Sequence, residues 1–309
     1  METDTTSPWR IIVADKNRDS RRLDLFLSSR IVGLSRRQAQ AMITGRAVTV
    51  DGRPGRKGMV LEPGSEVVVW SEPRRKDWSP KPDHDTVLQV VLEDEHLVAV
   101  DKPSGIPTVP LSPDEAGTLA GALVARYLEC RDIGRNPGDG GLLQRLDRET
   151  SGVVLAARSA SVYNTLLEAQ RQGETEKTYI ALIRKTSGEL PRRIDSPLQA
   201  SGPRGSRIKI DKAGVPATTF VRGIRSVGEY QLLEARIHRG QRHQIRVHLA
   251  RIGCPIVGDI LYGLEKRPAG LERLFLHASE VKTVHPVTAA PLVISSPLPE
   301  ELNSFLADS

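Results

Sequence analysis

One aspartate flanked by arginines is a place where this sequence could carry out chemistry. Residues 144–152 read QRLDRETSG, after the glycine-rich GDGGLL and before the apolar GVVLAA. A loop at the entrance to a strand could present Asp147 to a substrate while Arg145 and Arg148 hold phosphates. The alternative interpretation is a solvated connection, which is the usual fate of a polar loop.

A second polar cluster, GQRHQIRVH, spans residues 240–248. On a helix, Arg242 and Arg246 are four residues apart and share one face. One arginine could reach a buried carboxylate and the other a phosphate, or the helix could simply be basic and exposed. The three histidines of this region are spaced by five residues, about 500° of helical rotation, which spreads them over different faces. The sequence therefore predicts no metal site.

Several familiar signatures are missing, and their absence narrows the function. There is no GxGxxG, no GxxxxGK[ST] and no GxSxG motif, so no nucleotide cofactor is predicted. The two cysteines, Cys130 and Cys254, are far apart and predict neither a disulfide scaffold nor a cysteine zinc site. This cysteine usage fits a reducing cytoplasm.

Length and composition predict a globular protein of about two domains. The chain has 309 residues, of which 39% are hydrophobic, and no apolar stretch is long enough to span a membrane. The polar start METDTTSPWR has no apolar core of a secretory signal. We therefore expect no membrane partner, and a monomer is the default expectation.

Positive charge is concentrated near the N-terminus. Residues 1–85 carry 16 Lys and Arg against 12 Asp and Glu, whereas the remaining 224 residues carry 28 against 26. A basic module on a nearly neutral body points to a polyanion such as nucleic acid. From charge alone, an ordinary basic protein is the favoured interpretation.

The hydrophobic pattern predicts a small N-terminal α+β module, a linker and a larger domain. The predicted segments are a flexible lead at 1–19, the module at 20–70, the linker at 71–85 and the larger domain at 86–309. Within the module, Leu23, Phe26 and Leu27 mark one helix, a Ser35–Gln38 capping box opens a second that ends at Gly45, and valines 48, 50 and 67–69 mark strands.

The larger domain is predicted to be α/β of the α+β type, with a mainly antiparallel mixed sheet. Several strands follow one another without an intervening helix, which favours antiparallel pairing. Strands are expected at 87–92, 97–100, 152–157, 177–183, 219–224 and 229–237. Helices are expected within 118–129, after a cap at Ser161, and at 241–252.

Five motifs in order resemble the RluA-type RNA pseudouridine synthases. RLDRETSG resembles their catalytic signature, VAVDKPSGIPT precedes it, and HQIRVHLARIGCPIVGDILYG follows it. LHASEV, and His285-Pro286 together with SPLPEEL, match the C-terminal pattern. The module at 20–70 resembles an S4 RNA-binding domain through RLDLFL, SRRQAQAMI and GRAVTVDG. This combination is typical of the ribosomal-RNA branch of the family.

The resemblance implies a role for several residues. Asp147 matches the catalytic aspartate, and Arg246 matches the arginine that pairs with it. Tyr179 matches the tyrosine that packs on the target base, and Ile245 matches the apolar floor of the pocket. Arg145 matches the arginine that enters the RNA stack in place of the flipped uridine.

Further RNA contacts are expected from basic residues around these positions. Near the site they are Arg148, Arg242 and His243, and in the S4-like module they are Arg36, Arg37, Arg46 and Arg53. The partner implied is RNA, with ribosomal RNA favoured and transfer RNA possible. No cofactor is implied, because pseudouridine formation breaks the C1′–N1 bond, turns the uracil and joins C5 to C1′ without loss of atoms.

The chemistry requires one ionised carboxylate in a closed pocket. Asp147 would either attack C1′ or act as a base at the sugar, and both roles remain open. Burial would disfavour the charged carboxylate, and a guanidinium such as that of Arg246 would oppose this. The uridine must leave its stack, which costs a few kcal/mol, and Arg145 and Tyr179 would offset part of that cost.

Two departures from the family pattern concern RNA contacts more than the reaction. Gln144 stands where a histidine is usual, and GRTHQ appears as GQRHQ, with Gln241 and Arg242 in its middle. Two rival functions stay open. One is a non-catalytic RNA-binding or ribosome-assembly protein, and the weaker one is a carbohydrate glycosidase with Glu149 as its second carboxylate.

Overall fold

The computed structural model describes residues 8–14, 22–32, 34–72, 77–186, 188–263 and 266–309. The chain divides into two compact units, Met1–Lys76 and Asp77–Ser309. Each unit has its own hydrophobic core.

The smaller unit packs two helices on a four-stranded antiparallel sheet. Its elements are β1 Arg10–Val13, α1 Leu23–Arg30, α2 Arg36–Thr44, β2 Val48–Val50, β3 Arg53–Pro54 and β4 Glu66–Val69, with strand order β1-β4-β2-β3. The predicted capping box is present, since Gln38 N donates to Ser35 Oγ at 3.3 Å and Ser35 N donates to Gln38 Oε1 at 2.9 Å. Gly45 follows α2 as predicted.

The N-terminal lead differs from the expectation of a flexible segment at 1–19. Within it, β1 pairs with β4, with Ile12 opposite Val67. The run RIIV contains three β-branched residues, which favour a strand once a partner strand is available. Residues 1–7 and 15–19 of the predicted lead lie outside the described residues.

The described part of the larger unit contains eleven strands, nine of which form one mixed sheet. Its strands are β5 Gln89–Glu93, β6 Leu97–Lys102, β7 Ser151–Ala157, β8 Glu176–Arg184, β9 Arg193–Asp195, β10 Leu198–Ser201, β11 Arg207–Ile210, β12 Thr218–Val227, β13 Tyr230–Ile237, β14 Leu276–Val284 and β15 Pro291–Ser295. The order is β5-β6-β7-β14-β8-β13-β12-β9, with β15 beside β14, while β10 and β11 form a separate hairpin. Among these described strands only β7 and β14 pair in parallel, which confirms the mainly antiparallel mixed sheet.

The helices of this unit are α3 Leu119–Arg126, α4 Ala160–Gln172, α5 Gln244–Arg251 and α6 Glu300–Ala307. Two predicted starts were wrong. Helix α4 is capped by Ser159, whose Oγ accepts from Val162 N at 3.3 Å, rather than by Ser161. Helix α5 begins at Gln244 instead of 241, because His243 adopts a left-handed conformation with φ of 54°.

The segment predicted as a linker, 71–85, is partly integrated into the larger unit. Pro80 is buried, Asp83 N donates to Gly121 O at 3.1 Å, and the Asp83 side chain accepts from Gly117 N at 2.9 Å. The charged, proline-containing composition predicted a linker, whereas part of this segment is a turn that packs against α3. Residues 73–76 of this segment lie outside the described residues.

Strand β7 is the element that fixes the polar loop before it. All seven of its residues are buried. Val154 and Ala156 pack into one core cluster, while Val153 and Leu155 pack into the cluster under α4. A strand buried on both faces has little freedom to shift, so the loop at its entrance has a fixed end.

No helix within the described residues is long and apolar enough to cross a membrane.

Candidate active site

Asp147 lies in the loop 143–150, here called the Asp147 loop, immediately before β7. Thr108 fixes the backbone of this loop through two hydrogen bonds. Its Oγ1 donates to Leu146 O at 2.7 Å and accepts from Leu146 N at 3.0 Å. One hydroxyl thus satisfies both backbone groups of the residue next to the aspartate.

Lys102 secures the other side of the Asp147 loop. Its side chain is fully buried, and its ammonium donates to Pro103 O at 2.8 Å, Ile106 O at 2.9 Å and Arg148 O at 3.2 Å. Burial lowers the pKa of Lys102 to about 7. The motif VAVDKPSGIPT therefore supplies the backbone support of the loop.

The two polar clusters of the sequence meet at Arg246. Its Nη1 donates to Asp147 Oδ2 at 2.6 Å. Its Nε and Nη2 donate to Asp259 Oδ2 and Oδ1 at 2.8 and 2.9 Å. The guanidinium, carried by α5, thereby bridges two carboxylates that are 112 positions apart in the sequence.

Arg246 and Asp259 each stabilise the charged form of the other. Burial opposes the charge of Arg246, but its hydrogen bonds to Asp259 and the charge of Asp147 outweigh burial and raise the pKa of Arg246. Burial likewise works against ionisation of Asp259, yet Arg246 and the amides of Leu261 and Tyr262 lower the pKa of Asp259. Asp259 therefore stays ionised and holds the guanidinium with two parallel hydrogen bonds, a geometry that arginine makes well.

His243 and Tyr262 complete the wall around the aspartate. His243 Nδ1 is hydrogen-bonded to Tyr262 Oη at 2.7 Å, and His243 Nε2 lies 3.6 Å from Asp147 Oδ1. Burial lowers the pKa of His243, which keeps the ring neutral at neutral pH. Tyr262 Oη also accepts from Ile208 N at 2.8 Å, which ties the β10–β11 hairpin to the site.

A cavity of about 540 Å³ opens beside Asp147. Tyr179 and Ile245 line it together with Arg246, so the structure brings to one place the four residues that the resemblance implied, although they come from three separate segments of the chain. Burial, reinforced by the charge of Asp147, raises the pKa of Tyr179 and keeps its phenol protonated. The cavity thus combines apolar side chains such as Ile237, Ile245 and Leu276 with the paired carboxylate and guanidinium of Asp147 and Arg246.

The remaining predicted arginines differ in their surroundings. Arg145 and Arg148 are exposed and line the cavity, and an Arg148 Nη2 atom lies 3.8 Å from Glu115. Arg242 is exposed too, but its guanidinium donates to the carbonyls of Gly205 and Arg207 in the β10–β11 hairpin. Arg242, which stands one position after the arginine of the family's GRTHQ, thus contacts protein.

The S4-like unit presents its predicted arginines to solvent. Arg36, Arg37, Arg46 and Arg53 are all exposed. Arg36 also donates to Asp24 Oδ2 at 2.7 Å. Burial of Asp24 opposes its ionisation, but the bonds from Arg36, Gln40 and Arg22 lower the pKa of Asp24 overall. Arg36 is therefore partly committed to the fold, whereas the other three extend outward.

Sequence reasoning missed Asp259, Tyr262, Thr108 and the role of Lys102. Asp259 carried a usable signal, because it is the one charged residue in the otherwise apolar and glycine-containing stretch PIVGDILYG. A carboxylate predicted to be buried needs a cation partner. Thr108 gave no such signal. Among the described residues, no three His, Cys, Asp or Glu side chains are grouped in a way that could hold a metal ion.

Replacing Thr108 with valine should loosen the Asp147 loop. The isosteric change leaves the buried N–H and C=O of Leu146 without their partner, at about 1–3 kcal/mol for each group. We expect a lower free energy of unfolding in urea and slower turnover. Thr165→Val, on the exposed face of α4, is the matched control. Equal unfolding midpoints for the two variants would contradict this role of Thr108.

Comparisons with known proteins identify the family of the chain. The family profile for RNA pseudouridylate synthase matches residues 96–251, and the S4 domain profile matches residues 21–67. The chain therefore belongs to the RNA pseudouridine synthase family, whose members are isomerases, and it carries an S4 RNA-binding domain. The resemblance read from the motifs is confirmed.

Particular relatives cover nearly the whole chain. An uncharacterized RNA pseudouridine synthase of Chloroflexus aurantiacus is 34% identical, over 96% of this chain and 92% of its own. Ribosomal large subunit pseudouridine synthase D of Yersinia pestis is 29% identical, over 93% and 92%. The structure of human RNA pseudouridylate synthase domain containing 4 has the same fold, at 22% identity and a TM-score of 0.54, over 71% of this chain and 93% of that one.

Proposed function

We propose that this protein converts specific uridines of large-subunit ribosomal RNA to pseudouridine, with Asp147 as the essential group. The observation that carries the proposal is the Arg246 bridge, which holds Asp147 at the edge of a cavity lined by Tyr179 and Ile245. A protein that only bound RNA would gain little from burying an arginine between two carboxylates beside an accessible cavity.

The proposed reaction uses one carboxylate and no cofactor. The C1′–N1 bond breaks with its electron pair on uracil, the base turns, and C5 joins C1′. Arg246 hydrogen-bonds Asp147 Oδ2, whereas Oδ1 lies 3.6 Å from His243 Nε2, beyond ordinary hydrogen-bond length. Oδ1 is therefore the oxygen available to attack C1′ or to take a proton from the sugar.

The target uridine must reach this carboxylate by base flipping. Leaving the stack costs a few kcal/mol. Tyr179 and Ile245 would repay part of it by burying the faces of the base, since aromatic and apolar contacts of this kind are favourable. Arg145, which is exposed and lines the cavity, would fill the gap left in the RNA stack.

Two lines support ribosomal RNA over transfer RNA. The chain carries an S4 domain, a combination that the resemblance links to the ribosomal-RNA branch, and several relatives that match over most of the chain are named ribosomal large subunit pseudouridine synthase D. The free, buried cysteines Cys130 and Cys254 favour a reducing compartment such as the cytoplasm.

The glycosidase alternative requires Glu149, which also lines the cavity, as its second carboxylate. Glu149 accepts hydrogen bonds from Arg267 and from Leu274 N, the latter at 3.4 Å. These bonds tie the side chain to the segment before β14, where it supports the loop. The two-carboxylate arrangement of most glycosidases is therefore not favoured here.

Pseudouridine mapping of total cellular RNA tests the proposed function. Cells with and without the protein are compared, and the deletion is complemented by wild type or by Asp147→Asn. Specific sites in large-subunit RNA should vanish in the deletion and return only with wild type. An unchanged map in cells shown to lack the protein would oppose the proposal, and purified protein with transcribed RNA would then separate redundancy from inactivity.

The S4-like unit should contribute phosphate contacts. The variant Arg37→Gln, Arg46→Gln and Arg53→Gln removes three exposed charges from the full chain. Each lost contact lowers the slope of log affinity against log salt by about 0.7 for single strands, so the slope should fall by about 2. Filter binding over a salt series measures it. Arg222→Gln, an exposed arginine paired with Glu234 at 2.6 Å, is the control.

A slope that is the same in the triple variant and in wild type would mean that this face of the S4-like unit does not touch the RNA.

A further inference from the structure

Lys177 is a buried cation in the wall of the cavity. It precedes Tyr179 by two residues in β8, so both side chains emerge on the same face of the sheet. It is 3% exposed, and it lines the cavity that contains Asp147. A lysine is rarely buried to this degree without a partner for its charge.

The ammonium of Lys177 has fewer acceptors than it has protons. Its Nζ donates to Gln170 Oε1 at 3.2 Å, and no carboxylate of the described residues forms an ion pair with it. Lys102, the other buried lysine near the site, has three carbonyl acceptors. An ammonium carries three donors, and burying them unsatisfied is costly. Lys177 is thus arranged to accept a further partner from the cavity.

Burial lowers the pKa of Lys177 to about 8. The side chain is therefore mostly charged at neutral pH while still being strongly desolvated. A negative charge that appears beside it would interact through a low-dielectric medium, where such attraction is strongest.

The reaction produces such a charge inside the cavity. When C1′–N1 breaks, the electron pair stays on uracil, whichever role Asp147 takes at the sugar. The resulting anion spreads over N1, O2 and O4. The exposed Arg145 and Arg148 are available to the RNA phosphates, whereas the buried Lys177 shares the cavity wall with Tyr179, the residue expected to pack on the base.

We infer that Lys177 donates a hydrogen bond to a carbonyl oxygen of the flipped uracil and stabilises the anion formed when C1′–N1 breaks. The inference rests on the proposed function and adds a catalytic residue to it. The charge is transient, because C5 joins C1′, loses its proton, and N1 takes up a proton. Atoms and electrons balance without any co-reactant.

Lys177→Met in the full chain tests this assignment, using an RNA that wild type isomerises. Loss of an interaction made mainly with the developing anion should lower kcat at saturating RNA by about 10²–10³-fold. The Kd for RNA should stay within a factor of about 3, which is under 0.7 kcal/mol. Lys177→Arg should restore part of kcat. Lys282→Met, an exposed lysine paired with Glu280 at 2.8 Å, is the matched control.

Three results would overturn the inference. One is an unchanged kcat. Another is a weaker Kd with a lower salt slope at unchanged kcat, which would assign Lys177 to a phosphate. If Lys177→Met fails to fold in a thermal melt, Lys177→Gln is compared with Lys177→Arg, and equal kcat values for these two would also overturn it. An inactive wild type would instead refute the proposed function, and this inference with it.

Discussion

Asp147→Asn should abolish pseudouridine formation while leaving RNA binding intact. The amide has the shape of the carboxylate and can still accept the hydrogen bond from Arg246, but it can neither attack C1′ nor take a proton. Removing a group that takes part directly in bond making costs about 10⁴-fold or more in turnover. Arg246 keeps both hydrogen bonds to Asp259, so the fold should persist.

The measurement is single-turnover product formation on an RNA containing the target uridine, beside a binding curve. The Kd should change by less than a factor of about 3. Asp132→Asn, at an exposed aspartate of the same unit, should behave as wild type. Turnover near the wild-type rate in Asp147→Asn would defeat the catalytic assignment and move the rival of a non-catalytic RNA binder to the front.

Local patterns explain which parts of the fold the sequence predicted. The Ser35–Gln38 capping box and the continuous apolar run of β7 depend on residues that are neighbours in the chain, and both were confirmed. Strand β1 was missed because its four residues become a strand only when β4 lies beside them. The start of α5 was misplaced because nothing in the sequence marks the left-handed backbone of His243.

In the candidate site, too, the sequence predicted what lies in local motifs and missed what depends on the tertiary fold. Asp147, Arg246 and Asp259 all lie in quoted motifs, but only the contact between Asp147 and Arg246 was expected from the resemblance. The partner Asp259 acts only through the tertiary fold, which brings the turn after α5 against the guanidinium. Arg242 was expected at RNA, and the structure gives it carbonyl acceptors in the β10–β11 hairpin. The contact of Arg242 with RNA stays a prediction.

Arg246→Ala should impair both turnover and stability, because it removes the cation from a buried group of three charges. Asp259 is 1% exposed, so its carboxylate would be left buried with only the amides of Leu261 and Tyr262. Removing one partner of a buried pair costs about 3–5 kcal/mol. Asp147 would lose the donor that fixes its Oδ2, and we expect turnover to fall by about 10²–10³-fold, as for loss of an oriented charge in an active site.

Comparison of three variants separates the catalytic from the structural part of this loss. Arg246→Lys keeps the charge but cannot donate to both carboxylates in the same way, so it should restore stability more than turnover. Asp259→Asn should slow turnover although residue 259 does not contact the substrate. The substitution weakens the two parallel hydrogen bonds that orient the guanidinium of Arg246. Arg251→Ala, at the exposed end of α5, should leave both quantities unchanged. A normal rate in Arg246→Ala would mean that Asp147 needs no partner, and the bridge would then serve only to hold α5 against the turn that carries Asp259.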